Sequence, residues 1–301
     1  MKRLMAGLLV LLISATLSAC SSADDAPKNA MGVPKTLRVG IIPNVSPDKQ
    51  KAQYEPFAGY LSDRLDVKVE LFVASDYAGV VEALASKHVD IAYVGGLTYV
   101  QAERQVDLTP LVTEVDKDTG TREYESAIVV KQDSDARSVK DLLDSKASFA
   151  FGDISSTSGS LYPRMMLVDA GADCDDRSLT SCAPLSRVTF AGGHDAVAQA
   201  VANGSADAGG LELRILRRLE ADGSVAGEAL RVVESRRVMG YPWVARSALG
   251  EKAMGQIRAA FESMSDPELL DLMRAHKYAA VTSADYADVR ARAEKLGLVT
   301  G

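Results

Sequence analysis

The stretch Gly152-Asp153-Ile154-Ser155-Ser156-Thr157-Ser158-Gly159 sets consecutive hydroxyl residues and a glycine between a strand-like run and a helix-like run. A helix starting there points unpaired N–H groups and the positive end of its dipole outward, with the hydroxyls as further donors. That chemistry suits a small oxyanion. Ser and Thr are equally favoured as plain helix caps, so the turn alone leaves both readings open.

Working outward from this turn, strands and helices alternate along the body, which predicts α/β layers. Before it come the strand Leu37 to Pro43, a helix with Tyr54, Phe57, Leu61 and Leu65 at helical spacing and Pro56 in its first turn, the strand Val67 to Ala74, and the helix Tyr77 to Lys87. The strands His88 to Val94, Leu108 to Val115 and Ser126 to Lys131 complete a first set. A second set runs from Ser138 through the hydroxyl turn, Arg187 to Ala191, the helix at His194, the strand Ala206 to Leu211 and the strand Leu230 to Glu234. The C-terminal third, carrying Met254, Ile257, Phe261, Leu269, Met273, Val289 and Leu296, reads as helical and packs back on the first lobe. The length favours two lobes, with 34–128 and 233–301 in the first and 129–232 in the second.

At the N-terminus, Lys2 and Arg3 precede the apolar run Leu4 to Leu17, which closes on Leu17-Ser18-Ala19-Cys20. A cationic start, an apolar run too short to span a bilayer comfortably and small residues at its end make 1–19 a signal peptide. The cysteine after Leu-Ser-Ala resembles a bacterial lipobox, so Cys20 is expected to be the lipidated first residue of an exported protein held at a membrane surface. Residues 20–33, rich in Ser, Ala, Asp, Asn, Lys and Pro, read as a flexible tether. The formal net charge of −7 becomes −9 when the two cations Lys2 and Arg3 leave, and an acidic chain without basic runs argues against nucleic acid. With Cys20 lipidated, Cys174 and Cys182 remain as a pair, most simply a disulfide in an oxidising compartment. His88, His194 and His276 are scattered without ligand spacing, so neither a metal nor a cofactor is expected.

Motifs spread over nearly the whole body carry a resemblance: Ala74-Ser75-Asp76-Tyr77-Ala78-Gly79, Val89-Asp90-Ile91-Ala92-Tyr93-Val94-Gly95, the hydroxyl turn, Gly192-Gly193-His194-Asp195-Ala196, Val201-Ala202-Asn203-Gly204 with Asp207-Ala208, and Pro242-Trp243-Val244. In their order and spacing the chain resembles the phosphonate/phosphite-binding proteins of ABC importers. The resemblance implies a two-lobed periplasmic-binding-protein fold of type II with a hinge and an interlobe cleft. It implies a monomer that delivers a phosphonate, phosphite or phosphate ion to a membrane permease and its ATPase subunits, without catalysis. It places Ser156, Thr157, Ser158 and their N–H groups on the oxyanion, with His194 donating a ring N–H and Tyr77 and Tyr124 reaching in from the first lobe; a shell of neutral donors at two helix N-termini can hold a dianion.

The sequence also departs from that family's pattern. Members that hold an aminoalkylphosphonate or a protonated phosphite carry carboxylates where this chain has Arg214 and Tyr241, and Arg and Tyr donate where a carboxylate accepts. Both count as candidate ligand residues, and an amine-bearing ligand is disfavoured. Glu212 lies on the same face as Arg214 in an extended run, so a slip of two residues restores the acid. Two alternatives use the same architecture. A sensor or adaptor subunit shares the cleft, whereas an enzyme acting on a phosphate or phosphonate ester needs a nucleophile and a base. His194 and Asp195 beside Ser156 or Ser158 form the only candidate triad, and no Gly-x-Ser-x-Gly elbow or phosphate loop occurs.

Overall fold

The computed structural model describes residues 26–174, 179–223 and 229–299. Its first sheet contains β1 (Thr36–Ile41), β2 (Lys68–Val73), β3 (Ile91–Tyr93), β4 (Leu108–Asp116), β10 (Trp243–Arg246) and β11 (Ala275–Ala280), in the order β11-β4-β10-β3-β1-β2. The second contains β5 (Glu123–Lys131), β6 (Ser148–Phe151), β7 (Arg187–Phe190), β8 (Ala208–Glu212) and β9 (Leu230–Met239), in the order β7-β6-β8-β5-β9. Parallel β1, β2 and β3 are joined through helices, as a buried parallel sheet requires.

Helix Pro47–Leu65 starts on a proline, where no N–H is needed, turns Tyr54, Phe57, Leu61 and Leu65 into the first core, and ends on Asp66 in the left-handed region. It begins a full two turns ahead of the expected site, which leaves Pro56 inside it. Phe57 stacks on Trp243 with ring centroids 5.0 Å apart, and Phe261 packs against the same indole at 4.8 Å. Trp243 is thus a core residue.

Three sequence expectations are corrected. The lobe boundaries lie at the crossovers 117–122 and 240–242, not at 128/129 and 232/233, because β5 and β9 pair along their lengths with each other in the second sheet. The first crossover, Lys117-Asp118-Thr119-Gly120-Thr121-Arg122, reads in the sequence as an ordinary polar turn between two strands, and nothing in its composition marks a change of sheet. The C-terminal third is not all helical. Beside the helices Glu251–Glu262, Pro267–Leu272 and Ala287–Lys295 it supplies β10, inserted antiparallel between β3 and β4, and the edge strand β11. All four β10 residues are buried, so no alternating pattern announces the strand. Third, the end of the expected tether is docked. Asn29 donates to the Leu65 carbonyl at 2.7 Å, capping the C-terminal end of that first helix, Lys252 reaches the Ala30 carbonyl at 3.0 Å, and Val33 is fully buried. The signal peptide, Cys20 and the tether up to residue 25 lie outside the described residues.

Cys174 and Cys182 are joined as a disulfide, and the Arg164 guanidinium donates to the Cys182 Sγ at 3.3 Å. Among the described residues no helix is long and apolar enough to cross a membrane.

Candidate functional site

The turn after β6 opens into a wide first helical turn, Thr157–Leu161, that runs on as an α-helix to Asp169. Ser160 and Leu161 both bond back to the Ser156 carbonyl, so the N–H groups of Thr157 and Ser158 precede the first helical bond. The three hydroxyls divide their work. Ser156 caps the helix by accepting from the Gly159 N–H at 3.0 Å. Thr157 Oγ1 accepts from the Leu97 N–H of the other lobe at 2.9 Å. Ser158 Oγ, fully buried, has no partner. The plain-cap reading therefore holds for Ser156, and the open donor is Ser158.

Two further buried donors without partners come from other elements: the Tyr124 hydroxyl from β5 and the His194 Nε2 from the helix His194–Ala202. They converge with Ser158. Tyr124 lies against Ser158, and its ring is 5.0 Å from that of Tyr241; a Cβ on Gly159, the neighbour of Ser158, would sit 3.1 Å from the His194 Cε1. Glycine at 159 is what lets the imidazole approach the turn. Burial lowers the His194 pKa from its ordinary 6.5, against the opposing pull of Glu212 and Asp195, so the ring is neutral. The backbone N–H of Glu212 donates to Nδ1 at 3.3 Å, which leaves the single ring proton on Nε2.

A neutral buried histidine makes stability depend on pH. Its folded pKa lies below the unfolded value, so between the two the unfolded chain binds a proton that the folded chain does not, and stability rises with pH. The thermal midpoint of the wild type should therefore fall relative to that of His194→Gln as pH drops from about 7.5 to about 5. Parallel curves would contradict a neutral His194 in the folded state.

Tyr77, expected to reach in, instead donates to Asn44 Oδ1 at 2.8 Å, with Ser156 against its ring oxygen. Asn44 was legible only as part of a post-strand loop, yet its carbonyl also takes the His194 backbone N–H at 2.9 Å. The second helix N-terminus is thus engaged across the cleft, and the imidazole supplies that helix's open donor. Further bonds join the lobes: Tyr77 N–H to Asp153 at 3.2 Å, Thr98 Oγ1 to the Ser155 carbonyl at 3.0 Å, and Tyr162 to Asp288 at 2.8 Å. A Cβ at Gly95 would lie 2.9 Å from Thr157 Oγ1, so the close approach of the lobes there needs glycine.

Arg214 and Tyr241 do not stand free as donors, because a buried acid lies between them: Glu212, at the end of β8, accepts from Tyr241 on Oε2 at 2.7 Å and from Arg214 Nε on Oε1 at 2.5 Å. Burial pushes the Glu212 carboxyl up, but the Arg214 guanidinium and the Tyr241 hydroxyl bonded to it outweigh that and hold it below the ordinary range. Arg214 is itself buried, its guanidinium 4.7 Å from the Tyr124 ring centroid and 3.5 Å from Asp116 of the first lobe. Glu212 closes the strand, and Arg214, the second residue of the helix Leu213–Ala221, folds back onto it.

The assembled site offers three neutral donors, a pair of helix-start N–H groups and one ionised acceptor, all inaccessible while the lobes are together. Such an arrangement has the donors and the acceptor that a small tetrahedral anion needs, and its burial means that a ligand enters only when the lobes part.

Comparison with known proteins follows the geometry. Residues 39–288 match the family model described as ABC transporter, phosphonate, periplasmic substrate-binding protein. The chain is 32% identical to a phosphate-import protein of Mycolicibacterium smegmatis, over 91% of this chain and 90% of that one. It is 31% identical to the phosphonates-binding periplasmic protein of Escherichia coli, over 77% of this chain and 67% of that one. Among solved structures it resembles PhnD1 of Prochlorococcus marinus in complex with methylphosphonate, with a TM-score of 0.77, 25% identity, and coverage of 88% of this chain and 99% of that one.

Proposed function

This chain belongs to the family of periplasmic substrate-binding proteins of phosphonate ABC transporters, and from that premise we propose that its cleft captures a phosphorus oxyanion between Ser158, Tyr124, His194 and Glu212. The protein is the substrate-binding component of an importer and not an enzyme. The observation that carries the residue assignment is the clustering of three buried donors without hydrogen-bond partners, Ser158, Tyr124 and His194 from three elements, with Glu212 beside Tyr124 and His194. Donors alone suit any oxyanion. The carboxylate suits one that brings a P–OH, because only a protonated oxygen can face it. Phosphate, phosphite and methylphosphonate meet that condition. 2-Aminoethylphosphonate is disfavoured, because the acceptor an ammonium needs is already paired with Arg214 and the two cations would repel. Titration calorimetry with the four ligands tests the reading, and failure of wild-type protein to bind any of them refutes it.

One chain supplies both walls of the cleft, which supports action as a monomer. Lipid anchoring rests on Leu17-Ser18-Ala19-Cys20. Intact-mass analysis of exported protein should show Cys20 as the first residue with acyl chains attached, and Cys20→Ser should abolish partition with membranes. A soluble wild-type product cleaved elsewhere would end that part of the proposal.

A further inference from the structure

The carboxylate in the site raises a question that the donors do not. A buried carboxyl beside a bound anion has every electrostatic reason to take up a proton and become one more donor. If it did, the cleft would hold protonated and unprotonated tetrahedral anions alike.

The geometry around Glu212 opposes this. Arg214 Nε–H sits 2.5 Å from Oε1, and Arg has no acceptor and keeps its charge, so a proton on Oε1 has nowhere to point. The Tyr241 hydroxyl is on Oε2 at 2.7 Å. Arg214 in turn cannot swing away. It packs against the Tyr124 and Tyr241 rings, its guanidinium carbon 4.7 and 5.6 Å from their centroids, and one Nη is 3.5 Å from Asp116. The charged and titratable groups around this pair are His194 from the helix after β7, Tyr124 from β5, Tyr241 from the second crossover, Glu114 and Asp116 from β4, Tyr93 from β3, Tyr54 from the first helix, and Arg218 and Arg274, which line the same small cavity. Of the three arginines, Arg214 is the one bonded to the Glu212 carboxylate.

We propose that Arg214 is a positioning residue that keeps Glu212 a permanent acceptor, so that the cleft admits a tetrahedral oxyanion only when the anion carries its own proton. The inference rests on the oxyanion reading above and extends it to specificity. Phosphate keeps a proton through the working pH range and passes this filter. Methylphosphonate passes only in its monoanionic form. Sulfate, equal in shape and charge to the phosphate dianion, has no proton and is refused.

The test is calorimetric, with inorganic phosphate, methylphosphonate and sulfate as probes, each measured in two buffers of different ionisation enthalpy so that proton uptake is counted. At mildly alkaline pH the wild type should bind phosphate with no proton taken up, bind methylphosphonate with close to one, and prefer phosphate to sulfate by roughly 100-fold, the scale set by a missing hydrogen bond to a buried charge. Arg214→Gln should narrow the phosphate-to-sulfate ratio about tenfold or more and make phosphate binding take up a proton, while Arg214→Lys restores most of the discrimination. A merely structural arginine would lower affinity for all three probes together and leave the ratio and proton count unchanged, and that result overturns the proposal. Should Arg214→Gln not fold, the wild-type pH profile decides: methylphosphonate affinity must fall as pH rises through its second ionisation while phosphate affinity does not, and a flat methylphosphonate profile overturns the proposal equally. Wild-type protein that binds phosphate and sulfate alike also overturns it and leaves the oxyanion reading intact. Absence of binding to any phosphorus oxyanion refutes that earlier reading instead.

Discussion

Ser158→Ala is expected to weaken oxyanion binding by about 1.5 to 3 kcal/mol, or between roughly tenfold and 150-fold, the usual cost of removing a hydrogen bond to a charged group. The side chain is fully buried and its hydroxyl, with Tyr124 against it, makes no hydrogen bond to the protein, so alanine breaks no bond of the folded chain and most of the loss falls on the ligand. The thermal midpoint without ligand should therefore stay within a degree or two of wild type. Its neighbours behave otherwise. Thr157→Ala removes the acceptor of the Leu97 N–H and so acts through closure of the lobes, while Ser156→Ala removes the cap and lowers stability with or without ligand. Calorimetry paired with thermal melts separates the three. Equal affinity of Ser158→Ala and wild type would remove Ser158 from the site.

A larger effect, on folding, is expected at Asp90. Its carboxylate is 1% exposed and receives the Arg38 backbone N–H at 3.0 Å, the Arg38 Nε at 2.9 Å and Nη2 at 2.7 Å, with an Nη of the buried Arg246 at 3.5 Å. This one side chain ties β1 to β10 across the loop that enters β3. Asp90→Ala removes a buried carboxylate that Arg38 and Arg246 share inside the first sheet, and breaking a buried pair from one side costs about 3 to 5 kcal/mol. With stabilities of roughly 5 to 15 kcal/mol for domains of this kind, the variant should melt far below wild type or fail to accumulate. A midpoint unchanged within error in denaturant titration would show that Arg246 finds compensation elsewhere. Since Asp90 lies outside the cleft, whatever fraction folds should bind ligand normally.

Much of this was legible without coordinates. Alternating apolar runs and turn residues specified α/β layers, because helix and strand periods are properties of the local chain. The hydroxyl turn, Gly-Gly before His194 and the cysteine pair were likewise readable, each being a short segment whose residue types carry their own conformational demand. The strands β10 and β11 were not, since β10 is buried along its whole length and β11 is a short edge strand, so neither shows a regular alternation, and the crossovers were missed because the polar run Lys117 to Arg122 looks like any turn between two strands of one sheet.

The sequence by itself determined the two-lobed class, the anion-binding turn and the histidine beside it, because capping, glycine turns and strand–helix alternation act within a few residues. Only the tertiary structure decided which groups remain open to a ligand. Ser156, Thr157 and Ser158 are near-equivalent in the chain, and what separates them is a Gly159 N–H on one, a Leu97 N–H from the other lobe on the second and nothing on the third. Glu212 and Arg214 likewise exchange the roles their positions suggested, since the strand ends at the acid and the arginine folds back onto it between Tyr124, Tyr241 and Asp116. A donor's availability is set by what stands opposite it: the cap on Ser156 is local and could be read from the chain, whereas Leu97 opposite Thr157, Tyr241 on Glu212 and Asp116 beside Arg214 come from residues 60, 29 and 98 positions away, beyond the reach of any local rule.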